Sequence, residues 1–68
     1  MMRRAEPVAH DRRGRPVVPG ARVRVLRDPP QDGEVRRIAP RYNVLTVVVD
    51  AKAGKAERMV RGEEVELL

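Results

Sequence analysis

The stretch Gly20–Asp50, GARVRVLRDPPQDGEVRRIAPRYNVLTVVVD, decides the fold of this 68-residue chain. It reads as three consecutive strands separated by two compact turns. Arg22-Val23-Arg24-Val25 alternates charge and valine with period two, the pattern of a strand with one face in water, so Val23 and Val25 are expected to point inward. From Arg27 to Gly33 the chain is expected to stop pairing. Pro29 and Pro30 lack amide donors, and Asp32-Gly33 suits the closing of a loop. Val35 and Ile38 stand three apart, so strict alternation cannot bury both, and a bulge or strong twist is expected near Arg36-Arg37. Pro40-Arg41-Tyr42-Asn43 reads as a second turn, with proline fixing φ and asparagine tolerating a left-handed conformation. Val44–Val49 is apolar on both faces, Leu45, Val47 and Val49 on one and Val44, Thr46 and Val48 on the other. Strands covered on both sides read this way. Something is therefore expected on the second face.

Outward from this stretch the signals are shorter. Residues 1–7 have little apolar content and read as a flexible basic arm carrying Arg3-Arg4, and residues 8–68 read as one small domain. Val8-Ala9-His10 and Arg15-Pro16-Val17-Val18 flank Asp11-Arg12-Arg13-Gly14, where Asp in first place and Gly in fourth fit a type I turn and a small hairpin. Pro19-Gly20 suits the centre of a type II turn. After Asp50, residues Ala51–Lys55 read as a loop, and Glu57–Val60 as a fourth strand with Met59 or Val60 facing inward. Arg61-Gly62-Glu63-Glu64 fits one helical turn, and Val65–Leu68 a fifth short strand. Five strands at a spacing of roughly ten residues predict an all-β domain, a small five-stranded antiparallel barrel of SH3-like type.

The chain also resembles a known family. Gly20, Val23 and Val25, then Gly33, Val35 and Ile38, then an apolar third strand, are similar to the KOW motif of SH3-like barrels in ribosomal large-subunit proteins and transcription elongation factors. The resemblance covers about residues 19–49, with Gly33 in the place of the motif's signature glycine. It implies a small barrel that binds RNA or a ribonucleoprotein. It further implies that Gly33 sits where the backbone conformation or the available space excludes a side chain. The chain departs from the motif in the first loop, where the family carries a longer Gly/Lys-rich segment that often meets RNA and this chain has Asp-Pro-Pro-Gln-Asp.

Composition narrows the chemistry. The core has no Phe and no Trp and relies on twelve valines. Without cysteine there is neither a disulfide framework nor a thiolate metal site. No apolar run is long enough for a signal peptide or a membrane span, so a cytoplasmic protein with no membrane partner is expected. Catalysis is poorly supplied: there is no Ser, and one each of Thr, Tyr and His. Thr46 has no candidate base beside it. His10 stands alone, Asp28 and Asp32 read as turn residues, and Glu63-Glu64 as a solvated turn. No catalytic activity, metal or cofactor is expected.

The net charge of +5 is unevenly placed. Residues 1–27 hold eight arginines against Glu6 and Asp11, whereas residues 28–68 hold seven cations against eight carboxylates. If the valines of the first two strands point inward, Arg22, Arg24, Arg36 and Arg37 point outward, with Arg12 and Arg13 in the leading turn. That face is a candidate phosphate-binding surface for RNA or a ribonucleoprotein. Beside it Val44, Thr46 and Val48 form a candidate interface with a protein partner or a second copy of the chain. Alternatively, Val17 and Val18 fold back over those residues and the arginines stand in water. Tyr42 is the single aromatic residue. With no aromatic platform for bases, any nucleic-acid binding is expected to be backbone-directed and steeply salt-dependent.

Overall fold

The computed structural model describes residues 7–68, so the expected arm lies, apart from the exposed Pro7, outside the described residues. The described residues form seven strands: β1 (Ala9–His10), β2 (Pro16–Val17), β3 (Arg22–Val25), β4 (Gln31–Ala39), β5 (Val44–Ala51), β6 (Gly54–Arg61) and β7 (Val65–Leu67). Single 3-10 turns, Pro40–Tyr42 and Gly62–Glu64, precede β5 and β7. β1 and β2 pair as a small hairpin. The other five strands form one antiparallel sheet in the order β6-β5-β4-β3-β7, in which the last strand returns to pair with β3. The fold is all-β and antiparallel, as expected. Hydrogen bonding leaves the sheet open, with no ladder joining β6 to β7 among the described residues.

One face of the sheet supplies the core. Val23 and Val25 from β3, Val35 from β4, Leu45, Val47 and Val49 from β5, Val60 from β6 and Val65 from β7 are all buried, together with Ala9 and Val17 from the hairpin. Between Val60 and Met59, therefore, Val60 faces inward. Fully burying a valine is worth ~1.5–3 kcal/mol, so this short chain depends on a handful of branched side chains, with no large aromatic at the centre.

Two devices place these residues. The β4–β5 register shifts between Val35 and Arg37, a bulge with Arg36 as the extra residue. It lets Val35 pair with Val47 and Ile38 with Leu45, so both apolar residues of β4 reach the core side. Asn43 (φ 53) ends the first 3-10 turn in the left-handed region, and Gly14 and Gly20 take positive φ in their turns as expected.

Gly33 answers to crowding rather than to dihedral strain. It is buried between Val23 and Val49 in the register of β4, and its φ lies outside the left-handed region. A Cβ there would press on the Val48 carbonyl oxygen and lie 2.8 Å from Val47 Cγ1 and 2.9 Å from Val49 Cγ1.

Three expectations need correction. Gln31, Asp32 and Gly33 belong to β4, opposite Val25, Arg24 and Val23, so the loop left between the strands is only Leu26–Pro30, and the Leu26 amide still donates to the Glu64 carbonyl at 2.7 Å. The prolines interrupt pairing where they stand, and Asp32 is drawn into the ladder by Arg24. The loop after Asp50 is likewise shorter: Ala51 pairs with Gly54, whose φ of 118 closes a two-residue turn at Lys52-Ala53. Finally, Val17 joins the inner core cluster, so the hairpin does not lay it over Val44, Thr46 and Val48.

Candidate functional site

Opposed residues of an antiparallel ladder share a face, so the register lays out the outer surface row by row. At one end Arg61, Val44 and Ala39 lie side by side across β6, β5 and β4. The next row is Met59, Thr46 and Arg37, and these three with Glu57 line a shallow hollow. Then follow Glu57, Val48, Glu34 and Arg22. At the far end Lys55 pairs with Asp50, and Asp32, Arg24 and Glu66 lie abreast on β4, β3 and β7.

All six expected arginines are exposed, and three of them, Arg13, Arg24 and Arg37, are held by carboxylates. Arg24 grips Asp32 through two parallel contacts, Nε to Oδ1 at 2.7 Å and Nη2 to Oδ2 at 3.2 Å. The hydrogen bond to Asp32 raises Arg24 above its ordinary value, and the reciprocal bond lowers Asp32. Arg13 meets Glu66 at 3.2 Å, and Arg37 meets Glu57 at 3.6 Å. Arg22 lies opposite Glu34. Around Arg22 and Arg24 the sheet carries cations and carboxylates in alternation.

The opposite end differs. Arg36 at the bulge, Arg41 on the 3-10 turn and Arg61 beside Val44 form no ion pair among the described residues. Arg37, beside them, is the one that meets Glu57. Tyr42, 70% exposed, stands at this end with the Arg41 guanidinium carbon 6.0 Å from its ring centroid. Tyr42 is therefore a surface residue. Sequence counts the arginines correctly but not their partners, because pairing depends on the cross-strand register. Arg41 and Arg61 escape notice because neither lies on the two strands whose alternation is legible.

The apolar residues also change company. Val44, Thr46 and Val48 are half-buried on the outer face, and Met59, paired with Thr46, is 73% exposed beside them. Val17 of the hairpin lies in the core rather than on this strip, and Met59 adds an exposed apolar residue to the outer face within a charged surround.

Two further clusters are structural. Asn43 Oδ1 accepts from the His10 amide at 2.8 Å and its Nδ2 donates to the His10 carbonyl at 3.1 Å, clamping β1 to the β4–β5 turn. Gly62 lies directly beneath this clamp and donates its amide to the Asn43 carbonyl at 2.8 Å, where any Cβ would collide with His10 O and the Asn43 side chain. Asp11, 4% exposed, is the other. Its carboxylate accepts from the amides of Arg13 (3.0 Å), Arg15 (2.8 Å) and Leu67 (2.9 Å), and from Arg15 Nε (2.9 Å). Burial alone would push its pKa up from 3.8. The Leu67, Arg15 and Arg13 amides, with the Arg15 side chain, outweigh that and hold it at about 2.

Among the described residues no group of three His, Asp or Glu side chains is placed to hold a metal ion, and no helix is long and apolar enough to cross a membrane. Comparison with protein-family models, with curated proteins and with solved structures finds no match to this chain.

Proposed function

We propose that the domain is a non-catalytic binding module of SH3-like, KOW-like type that holds RNA or a ribonucleoprotein by its phosphates. The contact surface is the end of the outer face bearing Arg36, Arg37, Arg41 and Arg61. The observation that supports it is the freedom of three of these guanidiniums from any carboxylate among the described residues, next to an exposed Tyr42. A guanidinium already held by Asp32 must give up that partner to meet a phosphate, whereas Arg36 and Arg41 exchange only water. The preferred contact thus moves from the Arg22–Arg24 end to the Arg36–Arg41 end. Tyr42 adds one stacking surface, too little for sequence readout.

The test is a fluorescence-anisotropy titration of labelled RNA, single-stranded and structured, at several salt concentrations. Affinity is expected to fall steeply with salt. Arg36→Ala with Arg41→Ala should flatten the log–log slope by about 1.4–1.8, while Arg22→Ala with Arg24→Ala should flatten it less. No binding at low salt, or equal losses from the two double variants, would overturn this assignment. A second reading, a self-associating or protein-interaction module, has its own support in the outward band of Val44, Thr46, Val48 and Met59.

A further inference from the structure

β6 is the long edge of the sheet. It pairs with β5 along all eight residues, from Val44↔Arg61 to Ala51↔Gly54, and among the described residues nothing pairs with its other side. The opposite edge, β7, is only three residues long. An unpaired edge of this length presents a row of amides and carbonyls ready to accept another strand. Its outer side chains are Lys55, Glu57, Met59 and Arg61, with the exposed Met59 between opposite charges.

We propose that two copies of this chain pair edge to edge through β6, antiparallel, about a two-fold axis at Met59. The proposal rests on the self-association reading and specifies its contact. A two-fold axis normal to the sheet keeps the two outer faces in common, so it must pass a residue that then meets its own copy. Charge selects which residue. An axis at Lys55, Glu57, Arg58 or Arg61 sets like charges against each other, which is destabilising for directly opposed pairs. At Val60 it brings Glu57 opposite the partner's Glu63. At Ala56 it leaves Met59 opposite the turn residue Ala53. At Met59 it sets methionine against methionine, Glu57 opposite the partner's Arg61, and Arg61 opposite the partner's Glu57.

The pattern Glu57–Met59–Arg61 is thus complementary to itself in this register, with two ion pairs flanking an apolar centre. The contact between Glu57 and Arg37, 3.6 Å long with both side chains mostly in water, costs little to share. The row Arg37–Thr46–Met59 then continues into the same row of the second copy, and the two five-stranded sheets join into one.

Sedimentation equilibrium of the full chain, from micromolar to millimolar concentration, tests this. The expected result is a dimer weakened at least about tenfold by Glu57→Lys or by Arg61→Glu, and restored when both changes are made together. Both positions are exposed, and far-UV circular dichroism of each variant shows whether the fold persists. Because the chain has no cysteine, Met59→Cys provides an independent readout: oxidation should give a disulfide-linked dimer, and Lys55→Cys should not. A monomer at millimolar concentration would overturn both the β6 pairing and the self-association reading. A dimer that ignores Glu57→Lys but dissociates with Val48→Glu would overturn the β6 pairing alone and move the contact to the sheet face. Failure of the double charge exchange to restore association, or equal cross-linking from position 55, would refute the Met59 register. RNA binding by a strictly monomeric protein would leave the phosphate-binding reading standing by itself.

Discussion

Replacing Asp11 with alanine should remove more stability than any other single side-chain truncation outside the valine core. The carboxylate joins two segments: the hairpin turn, through the Arg13 and Arg15 amides and the Arg15 side chain, and β7, through the Leu67 amide. Hydrogen bonds to a charged group contribute ~1.5–3 kcal/mol each, but they do not add, and the exposed turn amides would rehydrate. What cannot be recovered cheaply is the link to the Leu67 amide, 56 residues away in sequence. A loss of about 2–3 kcal/mol is expected, against a total of roughly 3–10 kcal/mol for a domain of this length.

The pH dependence adds a second, independent signature. The folded-state pKa of Asp11 is depressed from 3.8 to about 2, so its contribution is fully present above 3.8 and is lost as pH falls through about 2. That displacement corresponds to roughly 2–3 kcal/mol of pH-dependent stability. Urea unfolding followed by circular dichroism, for the natural chain and for Asp11→Ala at pH 7, 4 and 2, separates the two effects. The gap between the proteins should be widest at pH 7, persist near pH 4 and narrow towards pH 2. A gap below about 0.5 kcal/mol at pH 7, within the range of ordinary surface substitutions, would refute the assignment of Asp11 as the lock between hairpin and last strand. So would a gap that does not narrow in acid.

Other substitutions test other parts of the packing. Gly33→Ala should cost about 2 kcal/mol or more, because the added carbon meets the backbone of β5 as well as two valine side chains; an unchanged denaturation midpoint would show that β4 and β5 are not so closely apposed. Asn43→Gly keeps the left-handed turn but loses both bonds to His10, whereas Asn43→Ala loses the bonds and also strains the turn. The alanine variant should therefore be the less stable of the two, by about 1 kcal/mol in thermal unfolding, and the reverse order would refute the conformational argument.

Much of the fold is legible in the sequence because it follows from local rules. The period-two valines of β3, the three-residue step from Val35 to Ile38, the asparagine and glycines at positive φ, and the single helical turn before β7 each have a cause within a few residues. What is not legible depends on distant partners. From sequence, Asp11 is a turn residue, and it is one, with Gly14 donating to its carbonyl at 2.9 Å. Nothing within ten residues says that its side chain will also bind Leu67. Gly62 is ordinary until the Asn43–His10 clamp is known to lie above it. Asp32 shows the same limit more sharply. Next to a diproline it looks like a loop residue, yet β4 begins at Gln31, which sets Asp32 opposite Arg24 and neutralises one cation of the expected basic face.

The bulge at Arg36 links the fold to the candidate site. With regular alternation after Val35, Arg36 would point outward, Arg37 inward and Ile38 outward, placing a guanidinium against the core and an isoleucine in water. The extra residue reverses that phase. Ile38 then opposes the buried Leu45, and Arg37 opposes Thr46 on the outer face, within reach of Glu57 and beside Met59. Core demand alone does not require the insertion: Val35, one arginine and Ile38 in sequence would alternate without any bulge. The second arginine adds a cation to the outer face and, as bulges do, bends and twists β4 locally. That bend lies just before the turn carrying Arg41 and Tyr42. A single inserted residue thus reconciles an apolar core made almost wholly of valine with a cluster of arginines gathered at one end of the opposite face.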